Sequence, residues 1–283
     1  VITEMFSLLQ ETEIGHVSLG KRADLMIIAP LTANTLAKLA HGFADNMLTT
    51  TALACRNPIL VAPAMETAMW DNPATRANLQ ILRERGVYVV GPAEGHLASG
   101  ASGTGRMSEP EELFRAARWA MSRRQPMTDV RVVVSAGGTQ EAIDPVRFIG
   151  NHSSGKMGYA LAQAASDRGA DVVLIHGPTS LAKVYGVEDV AVESAEKMCA
   201  AVLEAVSDAD ALIMAAAVAD YRPATSTAHK IKKSDRTMNL NLVRTRDILS
   251  AVAKNRDDNN RLKAVIGFAA ETESLMANAR DKL

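Results

Sequence analysis

Short apolar runs alternate with amphipathic segments along the whole chain. Three runs in its first part, at 23–30, 57–64 and 87–93, are apolar at nearly every position, which is typical of strands buried on both faces of a parallel sheet. Apolar residues recur at helical spacing in the segments 32–44, 72–86 and 109–124. This order of elements predicts β–α–β units.

A polar stretch with a proline interrupts the pattern at 123–129, and we place a domain boundary there. We therefore predict one domain over residues 1–124 and a second over 130–283. The alternation resumes in the second part, with strand patterns at 130–138, 170–178, 209–220 and 262–271 and helical patterns at 157–169 and 195–208. The sequence predicts an α/β protein of two consecutive Rossmann-like, three-layer domains with mostly parallel sheets.

Composition narrows the possible partners. The chain of 283 residues suffices for two domains, and since no run approaches the ~18 apolar residues of a membrane span, we expect a soluble protein without a membrane partner. A formal net charge of −1 gives no long-range field to attract nucleic acid. The two cysteines, Cys55 and Cys199, fit a reducing cytoplasm. Both ends look truncated, because the chain does not start with Met and stops within a helical pattern.

Candidate chemistry lies in the loops after the predicted strands, where open parallel sheets bind their ligands. The stretch "GNHSSGKMG" at 150–158 is one side chain short of a P-loop, with Met157 in the position of the usual Ser or Thr. No strand pattern directly precedes Gly150, so we favour a different anion-binding loop at a helix start. Gly137 and Gly138 leave room for a ligand, and Ser135, Thr139, Ser153 and Ser154 supply hydroxyl groups.

A second candidate lies farther along the chain. Asp220 ends a strand pattern and is followed by "KIKK", with Lys230, Lys232 and Lys233. These residues are either a strand cap and a solvated surface, or a carboxylate for metal or ribose and cations for a triphosphate.

Four stretches occur in a specific order: "DPVR…NHSSGKMG", "AAVADYRP", "KIKK" and "GFAAET". Together they resemble the phosphopantothenate–cysteine ligase domain of the bifunctional coenzyme A biosynthesis family. The resemblance implies CTP-dependent ligation through an acyl-cytidylate, in which Asn151 contacts the activated carbonyl, Lys230 neutralises the triphosphate and Mg²⁺ assists. It also implies a CTP site, which comprises Met214, Ala215, Ala216, Asp220, Lys230, Arg246, Asp247, Ile248, Leu249, Phe268 and Lys282. At 245–248 the chain has "TRDI" where the family has "NPDI".

The first part of the chain resembles the flavin-dependent phosphopantothenoylcysteine decarboxylase domain of the same family. The resemblance assigns His16 as a catalytic residue, and it assigns FMN binding to Pro30, Thr32, Asn34 and Thr35 of "PLTANT". "APAMETAMW" at 62–70 resembles the segment that binds the substrate carboxylate, through Met65 and Glu66. "LASGASGTGRM" at 97–107 resembles a mobile substrate clamp with lid-like glycines, in which Arg106 is available to the substrate phosphate.

Three positions in this part depart from the family, and the first of them, Leu31, replaces the usual alanine of the flavin-contacting signature. Glu66 replaces an asparagine, and Ser99 replaces the cysteine that donates a proton. An alcohol is a poor proton donor, so we expect Glu66 or His16 to donate instead.

The departures at Glu66 and Ser99 also motivate an alternative, a regulatory flavin-binding protein of the same fold without turnover. A dehydrogenase is disfavoured, because the chain offers no G-x-G-x-x-G after a strand. We expect a cytoplasmic homo-oligomer that acts on small molecules, and the sequence does not identify the Mg²⁺ ligands.

Overall fold

A computed structural model of the protein describes residues 15–232, 238–256 and 261–268. The chain divides into two compact units, the first ending at Arg123 and the second beginning at Arg124. Lys233 and Lys282 lie outside the described residues. None of the described helices is long and apolar enough to cross a membrane.

Unit 1 contains six helices and five strands among its described residues. The helices are α1 (Gly15–Arg22), α2 (Ala33–His41), α3 (Met47–Ala54), α4 (Thr67–Trp70), α5 (Pro73–Glu84) and α6 (Pro110–Ser122). The strands are β1 (Met26–Leu31), β2 (Ile59–Pro63), β3 (Tyr88–Val89), β4 (Ala93–His96) and β5 (Ser102–Arg106). Strands β1, β2 and β3 form a parallel sheet in that order, and β4 pairs with β5 as an antiparallel hairpin.

Helices cover both faces of strand β2. On one face, Val61 packs in a core with residues of α2 and α5, such as Leu36 and Leu79. The alternate residues Leu60 and Ala62 are fully buried as well, and helix α6 packs against this strand. A strand buried on both faces explains the continuous apolar run in the sequence.

Unit 2 contains nine strands and three α-helices among its described residues. The strands are β6 (Arg131–Ala136), β7 (Gln140–Ala142), β8 (Phe148–Gly150), β9 (Asp171–His176), β10 (Glu188–Ala191), β11 (Ala211–Met214), β12 (Tyr221–Pro223), β13 (Leu242–Arg244) and β14 (Ala264–Gly267). The helices are α7 (Lys156–Asp167), α8 (Ala195–Ala205) and α9 (Ile248–Arg256), with a 3₁₀ turn at Val206–Asp208.

Five strands of unit 2 form a parallel sheet in the order β10-β9-β6-β11-β14. Alternate residues of β6 enter different cores: Val132 and Val134 pack with α7 on one face, and Val133 packs with α8 and α9 on the other. The predicted three-layer α/β architecture is confirmed in this unit.

The structure also contains elements that the sequence pattern did not indicate. These are β10, the hairpins β4–β5, β7–β8 and β12–β13, and helices α1, α3, α4 and α9. The strand expected at 209–220 is shorter: β11 ends at Met214, and residues 215–220 form an irregular loop. That loop is the one to which the resemblance assigns nucleotide contacts.

Candidate functional site

The carboxyl ends of three neighbouring strands meet in one row in unit 2. Met214 of β11 lies opposite Ser135 of β6 on one side and opposite Gly267 of β14 on the other. From β6 the chain first builds the sheet outward through β9 and β10, and then returns to add β11 and β14 on the opposite side. The topological switch point, where such sheets bind ligands in the crevice beyond the strand ends, therefore lies between β6 and β11.

Two buried hydroxyl groups join the loops on either side of this crevice. Ser135 Oγ accepts a hydrogen bond from the Ala216 amide at 3.1 Å, and Thr139 Oγ1 accepts one from the Ala219 amide at 2.9 Å. Both side chains are almost completely buried. The sequence suggested these hydroxyls as ligand contacts, but the structure uses them to fix the β11 loop to the β6 loop.

Thr245 holds the far end of the same loop. Its Oγ1 donates to the carbonyl oxygen of Ala219 at 2.7 Å, and its amide donates to the carbonyl oxygen of Asp220 at 2.9 Å. Sequence reasoning noted this position only as a departure from the family motif. The structure shows that threonine makes a specific contact here and leaves the exposed Asp220 carboxylate at the end of the loop.

Asn151 lies beside the β11 loop, and its Nδ2 donates to the carbonyl oxygen of Val218 at 3.0 Å. The main chains are close here, because a Cβ added to Gly138 would lie 2.8 Å from the carbonyl oxygen of Asn151. The preceding residue, Gly150, belongs to the antiparallel strand β8 and not to the parallel sheet. The strand that feeds a P-loop is therefore missing from this arrangement, in agreement with the sequence argument.

Lys230 and Lys232 lie on an irregular segment next to the β7–β8 turn. They line a pocket of about 470 Å³ together with Val146, Arg147 and Ile231. Among the residues that the structure describes, no carboxylate oxygen lies within 4 Å of the nitrogen of either lysine. Both positive charges are therefore available to an anionic ligand.

The remaining residues of the expected CTP site have different surroundings. Met214 and Ile248 are buried in the core of the α8 face, so that their side chains pack inside the protein. Asp247 caps helix α9, because its Oδ1 accepts from the Ser250 amide at 2.9 Å.

Arg246 is exposed, and Phe268 follows β14 with about half of its surface exposed (49%). Ala215, Ala216 and Leu249 are partly buried.

In unit 1, three loops likewise meet at the carboxyl edge of a parallel sheet. Leu31 of β1 pairs with Pro63 of β2, so the loop that starts at Thr32 and the one that starts at Ala64 are neighbours. The Ala64 amide donates to the carbonyl oxygen of Leu31 at 3.0 Å. The third loop follows β3 and leads into the β4–β5 hairpin.

The loop after β1 contains the residues expected to bind FMN. Thr32 caps helix α2, because its Oγ1 accepts from the Thr35 amide at 3.3 Å and donates to Thr35 Oγ1 at 3.1 Å. Pro30 and Asn34 are exposed. These residues present an amide side chain at the start of a helix, next to an open sheet edge.

The β4–β5 hairpin (residues 93–106) contains most of the segment that resembles the family's substrate clamp, and from here on we call this hairpin the clamp. It lies against the loop after β2. The Met65 amide donates to the carbonyl oxygen of Gly105 at 2.9 Å. A Cβ at Gly105 would lie 2.1 Å from the carbonyl oxygen of Met65, and one at Gly103 would lie 2.4 Å from Thr67 Oγ1. These two glycines permit close packing, so the expectation of a mobile lid applies only to Gly100, which has open space around it.

The four polar residues predicted for decarboxylation lie on different elements. Ser99 is exposed in the loop of the clamp. Glu66 lies at the N-cap position of α4, but its carboxylate makes no capping hydrogen bond to the helix. Arg106 pairs with Glu109 in an exposed ion pair. His16 lies on α1, and its buried Nδ1 has no hydrogen-bond partner among the residues that the structure describes.

Two buried polar atoms of unit 1, His16 Nδ1 and Thr67 Oγ1, have no hydrogen-bond partner among the described residues. A bound cofactor or substrate can satisfy such atoms. Among the described residues, no group of three or more His, Cys, Asp or Glu side chains could hold a metal ion.

Two family models match the chain. The DNA/pantothenate metabolism flavoprotein C-terminal domain matches residues 127–283, and the flavoprotein family matches residues 1–119.

Curated relatives cover nearly the whole chain. The coenzyme A biosynthesis bifunctional protein CoaBC of Bacillus subtilis is 45% identical over 286 residues, which cover 100% of this chain and 70% of the relative. A cysteine/cysteine sulfinic acid decarboxylase from an unknown prokaryotic organism is also 45% identical, over 95% of this chain and 76% of the relative. The crystal structure of the C-terminal domain of a CoaBC protein is 41% identical, with a TM-score of 0.48, over 56% of this chain and 72% of that one.

Proposed function

The chain belongs to the family of bifunctional coenzyme A biosynthesis proteins, and we propose that its two units catalyse two successive reactions. Unit 2 joins 4′-phosphopantothenate to cysteine at the expense of CTP. Unit 1 decarboxylates the resulting 4′-phosphopantothenoylcysteine to 4′-phosphopantetheine with the help of FMN. Membership of the flavoprotein family supports a flavin in unit 1.

The observation that carries the ligase proposal is the crevice between β6 and β11. One wall is the β11 loop, which is fixed by Ser135, Thr139 and Thr245 and ends at Asp220. Asn151 is hydrogen-bonded to the same loop. A fixed polar loop at the switch point suits a nucleotide, because a preorganised site does not have to be ordered when the ligand binds.

We propose a division of labour between Asn151 and Lys230. Lys230 neutralises the triphosphate while the pantothenate carboxylate attacks the α-phosphorus of CTP and displaces pyrophosphate. Asn151 then orients the acyl-cytidylate carbonyl for attack by the amine of cysteine, which displaces CMP. The position of Lys230 in the pocket lining and the fixed amide of Asn151 support these roles.

Mg²⁺ enters this proposal as the ion bound to the triphosphate of CTP. The exposed Asp220 carboxylate is the residue that we propose to face it, because hard cations prefer oxygen ligands. Magnesium usually binds through one or two carboxylates together with substrate phosphates, so that a dedicated cluster of protein ligands is not required.

In unit 1, we propose that the clamp and the loop after β2 hold the substrate against the loop after β1. Met65 and Glu66 lie where the clamp docks, and Pro30, Thr32, Asn34 and Thr35 form the adjacent edge that would hold FMN. A bound flavin supplies the electron acceptor for thiol oxidation. The residues of the chain bind the substrate, exclude water and donate the proton that completes the product.

The full-length protein tests both activities in one reaction. Phosphopantothenate, cysteine and CTP should yield CMP and phosphopantothenoylcysteine, followed by a product lighter by one CO₂ in the mass spectrum. Omission of cysteine or CTP should prevent both products. Failure to form any CTP-dependent product would refute the ligase proposal.

A second candidate for unit 1 is decarboxylation of cysteine itself, as in the relative named a cysteine decarboxylase. The observation in its favour is that Arg106, which was expected to bind the substrate phosphate, is paired with Glu109. Release of CO₂ from cysteine in the absence of CTP would support this candidate. Release of CO₂ only from phosphopantothenoylcysteine would exclude it, and release from neither would support the non-catalytic flavin-binding alternative.

We further propose that the protein is a cytoplasmic homo-oligomer. Hairpin β12–β13 exposes apolar side chains that a second copy could cover, including Tyr221 and Leu242, each with more than 40% of its surface exposed. Light scattering of the full-length protein should give a mass of at least twice the chain mass, and a mass equal to that of one chain would contradict the proposal.

A further inference from the structure

Asp144 is a buried carboxylate in the turn between β7 and β8, with only 3% of its surface exposed. Its Oδ1 accepts from the amides of Val146 and Arg147, at 2.8 and 2.9 Å. Its Oδ2 accepts from Arg147 Nε at 3.0 Å and also from Arg147 Nη2. These bonds alone would complete a stable local turn.

The same carboxylate also reaches a distant part of the chain. Oδ2 accepts a further bond from the Ile231 amide at 3.1 Å, and Arg147 Nη2 donates to the Ile231 carbonyl oxygen at 3.0 Å. Both main-chain groups of Ile231 are therefore held by the Asp144–Arg147 pair. Ile231 is the residue between Lys230 and Lys232.

The segment that carries these lysines is attached at its start to the β12–β13 hairpin, where the Ala224 amide donates to the carbonyl oxygen of Asn241 at 2.8 Å. It forms neither helix nor strand from 224 to 232. The Thr227 amide donates to the carbonyl oxygen of Ile143, which places a second attachment on the same turn. The turn thus holds the main chain on both sides of Lys230, at Thr227 and at Ile231.

Asp144 and Arg147 also form an ion pair, in which the two opposite charges balance each other. The hydrogen bond from the Arg147 guanidinium, helped by those from the backbone amides, outweighs the opposing effect of burial and holds the pKa of Asp144 well below its usual range, so the carboxylate remains charged. Its charge is balanced by Arg147 and therefore does not offset that of Lys230. A carboxylate in this position can hold the lysine segment without reducing the attraction of Lys230 for an anion.

We propose that Asp144 is a positioning residue for CTP, which acts by fixing the main chain of the lysine segment through Ile231. The inference rests on the proposed function of Lys230 as the cation for the triphosphate. A lysine on an unattached loop has to be ordered when the nucleotide binds, and prior attachment removes that entropic cost. Removal of the attachment should therefore weaken CTP binding through Lys230.

The test is a double-mutant cycle on CTP affinity, measured by calorimetry on the full chain. Asp144→Asn should weaken CTP binding by roughly tenfold, because the neutral amide holds Arg147 and Ile231 less strongly. In a Lys230→Gln background the same change should weaken binding by less than about twofold, because the lysine that it positions is already absent.

Asp210→Asn is the matched control. Asp210 also accepts from a backbone amide, that of Arg131 at 2.8 Å, and from an arginine, Arg261 at 3.4 Å, but it precedes β11 at the opposite end of the strand from the crevice. This variant should bind CTP like the wild type. If Asp144→Asn does not fold, Arg147→Lys replaces it with the same expected results, since it keeps the charge that balances Asp144 and loses the guanidinium that also holds Ile231.

Each outcome has a distinct meaning. Unchanged CTP affinity of Asp144→Asn, or an equal loss in the presence and absence of Lys230, would overturn the positioning role and leave the ligase proposal standing. Unchanged affinity of Lys230→Gln itself would instead contradict the proposed role of the lysine.

Discussion

Thr245 Oγ1 donates a hydrogen bond to the carbonyl oxygen of Ala219 at 2.7 Å and thereby closes the end of the β11 loop. Ala219 is buried, with 3% of its surface exposed, so water cannot readily replace the donor. A carbonyl group that is left buried without a partner is costly. The residue that departs from the family motif therefore has a defined structural role in this chain.

Thr245→Val should lower the free energy of unfolding of unit 2 by about 1–3 kcal/mol, because the Ala219 carbonyl loses its donor. Both tryptophans of the chain, Trp70 and Trp119, lie in unit 1. The lower midpoint of urea unfolding should therefore appear when unfolding is followed by circular dichroism, which reports on both units. It should be absent when unfolding is followed by tryptophan fluorescence, which reports on unit 1. Thr245→Ser retains the hydroxyl and should restore most of the stability; equal losses in both variants would contradict the role of the bond.

Gly105→Ala should abolish decarboxylation and spare ligation. A Cβ at this position would lie 2.1 Å from the Met65 carbonyl oxygen, so the clamp must move away from the loop after β2. A displacement of that size in a substrate-holding element can cost roughly 100-fold in rate.

Gly86→Ala is the matched control for this prediction. Gly86 also has a positive φ, of 79°, but a Cβ there has nothing within 4 Å. Alanine there introduces backbone strain without a clash and should retain decarboxylation. Loss of activity in both variants would assign the effect to general destabilisation.

Variants of Glu66 and Ser99 test which residue donates the proton in decarboxylation. Glu66→Gln should slow product formation by roughly 100-fold or more, because a general acid is lost, whereas Ser99→Ala should slow it by less than about tenfold. Quenched reactions analysed by mass spectrometry should show decarboxylated, still oxidised product accumulating with Glu66→Gln. Accumulation with Ser99→Ala beside a fully active Glu66→Gln enzyme would reverse the assignment.

The lowered pKa of Asp144 should make the free energy of unfolding of unit 2 depend on pH. Its folded-state pKa is depressed, mainly by the hydrogen bond from Arg147, so its contribution is present above the unfolded pKa and is lost as the pH falls through the folded value. The stability difference between the wild type and Asp144→Asn should be constant above about pH 5 and shrink below about pH 4. Urea unfolding followed by circular dichroism at several pH values measures it, and a difference that grows on acidification would contradict the assignment.

The centres of the two sheets could be predicted because strands β2, β6 and β9 are buried on both faces. Such strands leave continuous apolar runs, as in β6, and helices between them leave an apolar stripe. Strand β10, Glu188–Ala191, lies at the edge of the sheet with two charged residues, and β5, Ser102–Arg106, is made of small and polar residues. Neither has the apolar pattern on which the prediction depends.

The candidate site was predictable as a set of motifs but not as a set of contacts. Asn151 and Lys230 stand out by resemblance, whereas the bond from Ile231 to Asp144 spans 87 positions and that from Ala216 to Ser135 spans 81. No local pattern encodes such bonds, because they depend on which loops the sheet order makes adjacent. For the same reason, Ser135 and Thr139 were expected to bind a ligand and instead hold the protein together.

The division of labour between Lys230 and Asn151 is tested most directly by the amount of acyl-cytidylate that forms when phosphopantothenate, CTP and then cysteine are added in turn. Lys230→Gln should form little of it, because the triphosphate loses a charge-assisted contact worth roughly 1.5–3 kcal/mol. Asn151→Asp should form it and then react slowly with cysteine, because a carboxylate cannot donate to the Val218 carbonyl oxygen as the amide does. Mass spectrometry that finds wild-type amounts of acyl-cytidylate with Lys230→Gln, or no excess of it with Asn151→Asp after cysteine is added, would contradict the account.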